Sequence, residues 1–209
     1  MKLKLYVMDI RELERADLCE RALRLLDPVR KEKAMKAGNE KDRARSVGAG
    51  LLLLLGYVNH SGRNEDLQIL SPTRIIQTIE DEEKKRGRPL AEGICYEISD
   101  AGKPAWKGPH FNLSHSGNYA VLVTGDVLVG IDVQEPRRVL HKSIGSYHSF
   151  CKLESYLKCT GRGIGKRIDA CYAELKEAEE SGEYYFRNIP MPDEYDLWIC
   201  ARIDKEVAK

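Results

Sequence analysis

Alternation of apolar and polar positions at the start of the chain gives way quickly to helical spacing. Residues 2–8 alternate weakly and are rich in strand-forming side chains, which predicts an opening strand. From Arg11 to Leu26, the apolar positions Leu13, Ala16, Leu18, Ala22, Leu23 and Leu26 recur as on one face of a helix. Asp27-Pro28 breaks that helix and caps the next, expected over 28–37 and ended near Gly38. Asn39 can cap a third helix reaching about Tyr57, whose apolar half is Leu51–Leu55. Residues 61–92 are polar and carry Glu80-Asp81-Glu82-Glu83-Lys84-Lys85-Arg86, expected to be a solvated helix end or surface loop.

The character changes near residue 93. Residues 94–98 read as a strand and Asp100 to Pro104 as a turn, followed by strand-like pieces at 109–114, 118–124 and 127–133. Ser116-Gly117-Asn118 and Gly125-Asp126 supply the turns between them. A helix with Phe150, Leu153 and Leu157 on its apolar face ends at Thr160-Gly161-Arg162-Gly163, and strands near 183–188 and 195–202 follow. The pattern predicts an α+β chain with two similar-sized halves, each holding a few strands and one main helix.

Composition narrows the classes of function. Among 209 residues, 34 Lys and Arg balance 33 Asp and Glu, so a globally basic nucleic-acid binder is not indicated. The longest apolar run, Leu51–Leu55, falls far short of the ~20 residues of a membrane span. The N-terminal residues have no small-residue cleavage site and read as a strand rather than a signal peptide. Cys19, Cys95, Cys151, Cys159, Cys171 and Cys200 show neither CxxC nor zinc-ligand spacing, which suits free thiols in a reducing cytoplasm.

Three groups of residues carry candidate chemistry. Residues 28–45 hold seven cations (Arg30, Lys31, Lys33, Lys36, Lys41, Arg43 and Arg45) against three acids, either a phosphate site or a solvated helix face. Asn112-Leu113-Ser114-His115-Ser116-Gly117 ends a strand in a tight turn, where backbone N–H groups and His115 can meet an anion, or where the histidine is simply satisfied. Asp132 closes an otherwise apolar strand and shares a face with Gln134, while Glu154 and Lys158 share a helix face four residues apart. A carboxylate in an apolar strand needs a cation or hydrogen bonds, and Mg²⁺ takes one or two carboxylates together with phosphate oxygens and water. The bland alternative for Glu154 and Lys158 is a surface ion pair.

In order, these pieces resemble the Sfp-type 4′-phosphopantetheinyl transferases: the basic helix, Gly102-Lys103-Pro104, Phe111 to Val121, Val129 to Gln134, and Phe150 to Gly163. The resemblance implies a pseudo-two-fold pair of α/β subdomains, 1–105 and 106–209, with a ligand cleft between them. It implies transfer of phosphopantetheine from coenzyme A to a serine of an apo acyl or peptidyl carrier protein, with release of adenosine 3′,5′-bisphosphate. By position, Arg30, Lys33, Arg45 and Ser46 would contact the 3′-phosphate and adenosine end, and Ser114 and His115 the CoA phosphates. Asp132, Gln134 and Glu154 would ligate Mg²⁺, Glu154 would act as base, and Lys158 would contact the phosphate and help the leaving group. The expected protein is a cytoplasmic monomer without nucleic-acid or membrane partners.

The sequence also departs from that family. Phe150 stands where a Trp is usual, Leu153 where a Lys is usual, and Gln134 where an acid is common. Only 17 residues, 133–149, separate Asp132 from Phe150, about twenty fewer than is typical, and His141-Lys142-Ser143 lie in that segment as a cover or a simple loop. These departures keep open a degenerate homologue that binds CoA and transfers little. A nucleic-acid module built on residues 28–45 is disfavoured by the near-neutral charge and the lack of interleaved aromatics.

Overall fold

The computed structural model describes residues 1–58, 68–94, 96–98, 104–106, 109–136, 146–163 and 167–203. Cys95, Gly102-Lys103 and His141-Lys142-Ser143 therefore lie outside the described residues. The architecture is α+β, as the sequence pattern predicts. Contacts divide the chain into two compact units: Lys4–Tyr96 with His115–Leu122, and Met1–Leu3 with Glu97–Ser114 and Val123–Lys209.

The first of these units is mainly helical. Its strand β1 (Leu3–Asp9) pairs in parallel with the short β2 (Ile69–Leu70), through Val7↔Ile69 and Met8↔Leu70. These strands belong to a sheet of order β2-β1-β6-β5, in which β5 (His110–Ser116) and β6 (Tyr119–Gly125) form a hairpin whose turn end belongs to this unit. The helices are α1 (Ala16–Leu25), α2 (Pro28–Met35), α3 (Glu40–Val58) and α4 (Pro72–Arg86). Asp27 caps α2 by accepting from Val29 N and Arg30 N. Asn39 Oδ1 accepts from Asp42 N at 2.8 Å at the start of α3. The run Leu51–Leu55 is wholly buried, so α3 is a core helix.

Two expectations fail here. The helix over 11–26 is split: Arg15 is extended (φ −76°, ψ 124°) between a short 3-10 turn at Arg11–Glu14 and α1. The polar stretch 61–92 contains the whole of α4, which Ser71 caps and whose Ile75, Ile76 and Ile79 are fully buried. Only its charged end, through Arg86, matches the surface reading. The helices α1, α2 and α3 thus lie within the stretches predicted as helical, and α4 is added to them.

The second unit contains an antiparallel sheet of order β7-β9-β8, formed by β7 (Val129–Gln134), β8 (Tyr184–Asn188) and β9 (Asp196–Arg202). Asp132 faces Trp198, and Gln134 faces Asp196. Two helices cover this sheet: α5 (Tyr147–Thr160) and α6 (Ile168–Ser181), the second of which the pattern did not predict. Ser146 and Ser149 form a capping box at the start of α5, and Gly161 ends it in the left-handed conformation (φ 74°). Leu153, Tyr156, Leu157 and Cys159 of α5 pack on Leu175 and Ala178 of α6 and on Cys200 of β9. Burying each of these leucines contributes ~1.5–3 kcal/mol. A short pair, β3 (Tyr96–Ile98) with β4 (Pro104–Trp106), completes the described strands.

Gly130 fixes how closely α5 lies on β7. A Cβ at this position would meet Ser155 O at 2.0 Å and Cys159 N at 2.3 Å, both helix backbone. No side chain fits there, so the glycine lets the helix rest directly on the strand, two residues from Asp132.

Candidate functional site

Asp132 anchors the best-defined polar cluster in the chain. Its side chain is 3% exposed, an expensive place for a carboxylate without partners. Oδ1 accepts from Ser114 Oγ at 2.8 Å and from Lys158 Nζ at 2.6 Å, and Oδ2 accepts from Gln134 Nε2 at 2.7 Å. Lys158 Nζ also reaches Ser114 Oγ at 3.0 Å. The hydroxyl of Ser114 thus links the carboxylate and the ammonium, and it lies 3.4 Å from Val133 N as acceptor. Three elements build this cluster: β5 brings Ser114, β7 brings Asp132 and Gln134, and α5 brings Lys158.

Asn112 explains part of how β5 and β7 are registered. Its Oδ1 accepts from Ile131 N at 3.0 Å, a bond made by a buried side chain to strand backbone. Sequence reasoning treated Asn112 only as part of a motif. An asparagine between strand-formers is the signal that was available, since its amide can satisfy backbone groups that no neighbouring strand reaches.

Lys158, which shares a helix face with Glu154, pairs with Asp132. Glu154 is half-buried, and its carboxyl is held above the usual range, chiefly by loss of solvent. Lys158 lowers it and the negative charge of Asp132 raises it. The two carboxylates therefore feel each other's charge, a repulsion that a shared cation would relieve. Among the described residues, no three His, Cys, Asp or Glu side chains gather as a metal cage. The chemistry of the donor set still suits Mg²⁺, which needs one or two carboxylates and completes its shell with water and phosphate oxygens.

Tyr172 of α6 is a further residue of this neighbourhood that the sequence did not reveal. Burial raises its phenol first, a hydrogen bond with Ser149 lowers it, and the charge of Glu154 raises it further.

The remaining candidate residues lie in the helical unit. Arg30 is buried on α2, and Lys33 follows one turn later. The ammonium of Lys33 is held below the usual range by loss of solvent first and by the like charge of Arg30 second. Arg45 of α3 pairs with Asp42 and donates to Gly117 O at 3.4 Å, which ties the basic helix to the hairpin turn. That turn also presents Asn118 O to Ile10 N at 2.9 Å. Ser46 is 7% exposed and its Oγ has no partner among the described residues. His115 is exposed on β5.

With this geometry described, similarity to known proteins becomes informative. No protein-family model matches the chain. It is 26% identical over 142 residues to a 4′-phosphopantetheinyl transferase of Bacillus subtilis, a match covering 52% of this chain and 63% of that protein. It is 28% identical over 144 residues to the 4′-phosphopantetheinyl transferase psf-1 of Bacillus pumilus, covering 53% of this chain and 62% of the relative. Over about half its length the chain is thus similar to 4′-phosphopantetheinyl transferases. It spans just under two thirds of the length of the curated relatives it matches.

Beside this similarity, the departures noted in the sequence acquire physical content. Leu153, where a lysine is usual, is fully buried against α6, so the position now serves packing. Gln134 donates to Asp132 and adds no charge to the cluster. The five described cysteines, Cys19, Cys151, Cys159, Cys171 and Cys200, are free thiols. Among the described residues, no helix is long and apolar enough to cross a membrane.

Proposed function

We propose that this phosphopantetheinyl transferase homologue moves the 4′-phosphopantetheine group of coenzyme A onto a serine of an acyl or peptidyl carrier protein. The observation that carries this reading is the convergence of Asp132, Ser114 and Lys158, with Glu154 within electrostatic reach, on residues matching the superfamily's pattern.

The carrier serine Oγ attacks the phosphorus that bears the pantetheine arm. A new P–O bond forms, the bond from that phosphorus to the bridging oxygen breaks, and the electron pair leaves on adenosine 3′,5′-bisphosphate. Glu154 takes the serine proton. Its half-buried position supports this role, because a carboxyl held above its ordinary range is a stronger base than a solvated one. Lys158 exchanges its contact with Asp132 for the phosphate oxygens and neutralises the charge that develops there. Asp132 and Glu154 are the residues that would hold Mg²⁺, with Gln134 contributing through its carbonyl or through water. When bound, Mg²⁺ supplies charge neutralisation of the pyrophosphate.

At the other end of the CoA molecule, Arg30, Lys33 and Arg45 supply cations for the 3′-phosphate. Ser46 supplies a hydroxyl whose partner would come from the ligand, which suits its buried, unpartnered oxygen. His115 serves the CoA phosphates as a donor, and Ser114 serves them by holding Lys158 in place. The expected setting is cytoplasmic, and the expected form a monomer.

Incubation with CoA, Mg²⁺ and a panel of apo carrier proteins tests the proposal by intact mass. A gain of one phosphopantetheine group on at least one carrier is the expected result. Tight CoA binding with no modified carrier would refute transfer and leave a CoA-binding homologue.

A further inference from the structure

Asp132 serves three donors at once. Oδ1 takes the Lys158 ammonium at 2.6 Å and the Ser114 hydroxyl at 2.8 Å, and Oδ2 takes the Gln134 amide at 2.7 Å. Two of these donors are neutral. The third carries a full positive charge, and a metal on the same carboxylate would face that ammonium across one oxygen. Like charges so placed repel strongly here, because the Asp132 side chain is 3% exposed and water screens it little.

The charge balance points the same way. Asp132 and Glu154 bring two negative charges and Lys158 one positive charge, and Gln134 adds a donor without charge. Lys158 thus cancels half of the attraction that the two carboxylates hold for a cation. Ser114 acts as its latch: Oγ accepts from Nζ at 3.0 Å while the hydroxyl donates to Asp132. Between the two partners, Lys158 is the one with room to move. Its side chain is 27% exposed, and a lysine stem is long and flexible.

We propose that Lys158 and a divalent cation compete for Asp132. The cation then binds weakly by itself and more tightly together with a phosphate ligand that draws the ammonium away. By linkage, the cation strengthens phosphate binding by the same factor. The proposal rests on the role given to Asp132 and Glu154 toward Mg²⁺, and it adds a control on when that site fills.

Mn²⁺ is the probe, titrated into the full chain without CoA or carrier protein and followed by loss of the free-ion EPR signal. Lys158→Met is expected to tighten Mn²⁺ binding at least ~tenfold, since one opposing charge is gone. Lys158→Arg keeps the charge and is expected to stay within about twofold of the parent. Ser114→Ala removes one of the hydrogen bonds that hold the ammonium in place and is expected to tighten binding about threefold or more. It decides the question alone if Lys158→Met, which leaves Asp132 buried without its counter-charge, does not fold. Adding Asp132→Asn is expected to abolish the gain in either background. Parent-like Mn²⁺ affinity in Ser114→Ala and in any folded Lys158→Met, or a gain that persists with Asp132→Asn, would overturn the competition. Carrier modification with Mn²⁺ binding alike in all variants would refute the competition and leave transfer standing. The expected gains in a chain that modifies no carrier would do the reverse.

Discussion

Adding one methyl group at Gly130 perturbs both the fold and the candidate site. A Cβ at this position would lie 2.0 Å from Ser155 O, 2.3 Å from Cys159 N and 2.9 Å from Cys159 Cα. All three atoms are backbone, so no rotamer change relieves the clash. Ordinary contact begins at 3.4 Å, so α5 must retreat from β7 by more than 1 Å locally. Overpacking of this kind costs ~1–3 kcal/mol, and more where backbone must move. For a chain of this size, that corresponds to a melting temperature lower by ~2–4 °C per kcal/mol. The same retreat stretches the 2.6 Å contact between Lys158 on the helix and Asp132 on the strand. Misplacement by ~1 Å can cost on the order of 100-fold in rate. Gly130→Ala is therefore expected to lower both thermal stability and carrier modification, measured by scanning fluorimetry and by intact mass. Gly38→Ala is the matched control, because a Cβ there meets nothing within 4 Å and no left-handed φ is involved. It is expected to be neutral or to stabilise by a few tenths of a kcal/mol, up to ~1. Gly130→Ala with unchanged melting temperature and unchanged activity would refute the close-approach argument.

Three further outcomes follow from the same geometry. Asp132→Asn leaves Lys158 without its counter-charge, and because that ammonium is only about a quarter exposed, the expected loss is ~1–3 kcal/mol in urea unfolding, with transfer falling on the order of 100-fold or more. Glu154 is raised in the folded state above its usual 4.5, so its ionisation disfavours folding as pH rises. Glu154→Gln should therefore exceed the parent in melting temperature at pH 7, with the gap closing as pH falls to about 4, and a constant gap across that range would contradict the burial argument. Leu153→Lys, which restores the residue usual in the family, places a charge at a fully buried position. It is expected to cost at least ~3 kcal/mol in urea unfolding and to bring no gain in transfer.

The parts of this molecule legible in the sequence are those fixed by local chemistry. The hairpin around Gly117, the strand carrying Asp132 and the helix ending at Gly161 all follow from turn residues and apolar spacing. The helix α4 was obscured because charged residues dominate its stretch, although Ile75, Ile76 and Ile79 supply a narrow buried stripe. The helix α6 was obscured for a similar reason, since only Leu175 and Ala178 of its residues are buried. Helical spacing puts Lys158 on one face with Glu154, but its pairing with Asp132 comes from a separate strand. No periodicity encodes a contact between elements so distant in the chain. The roles of Gly130 and Asn112 belong to the same class, because each depends on what a separate element brings near it.

A crystal structure with CoA and Mg²⁺ bound tests the central claim most directly. The account predicts electron density for one cation held by Asp132 and Glu154, with Lys158 Nζ moved from Asp132 onto a pyrophosphate oxygen. CoA bound with its pyrophosphate away from these three side chains, and Lys158 still seated on Asp132, would contradict it.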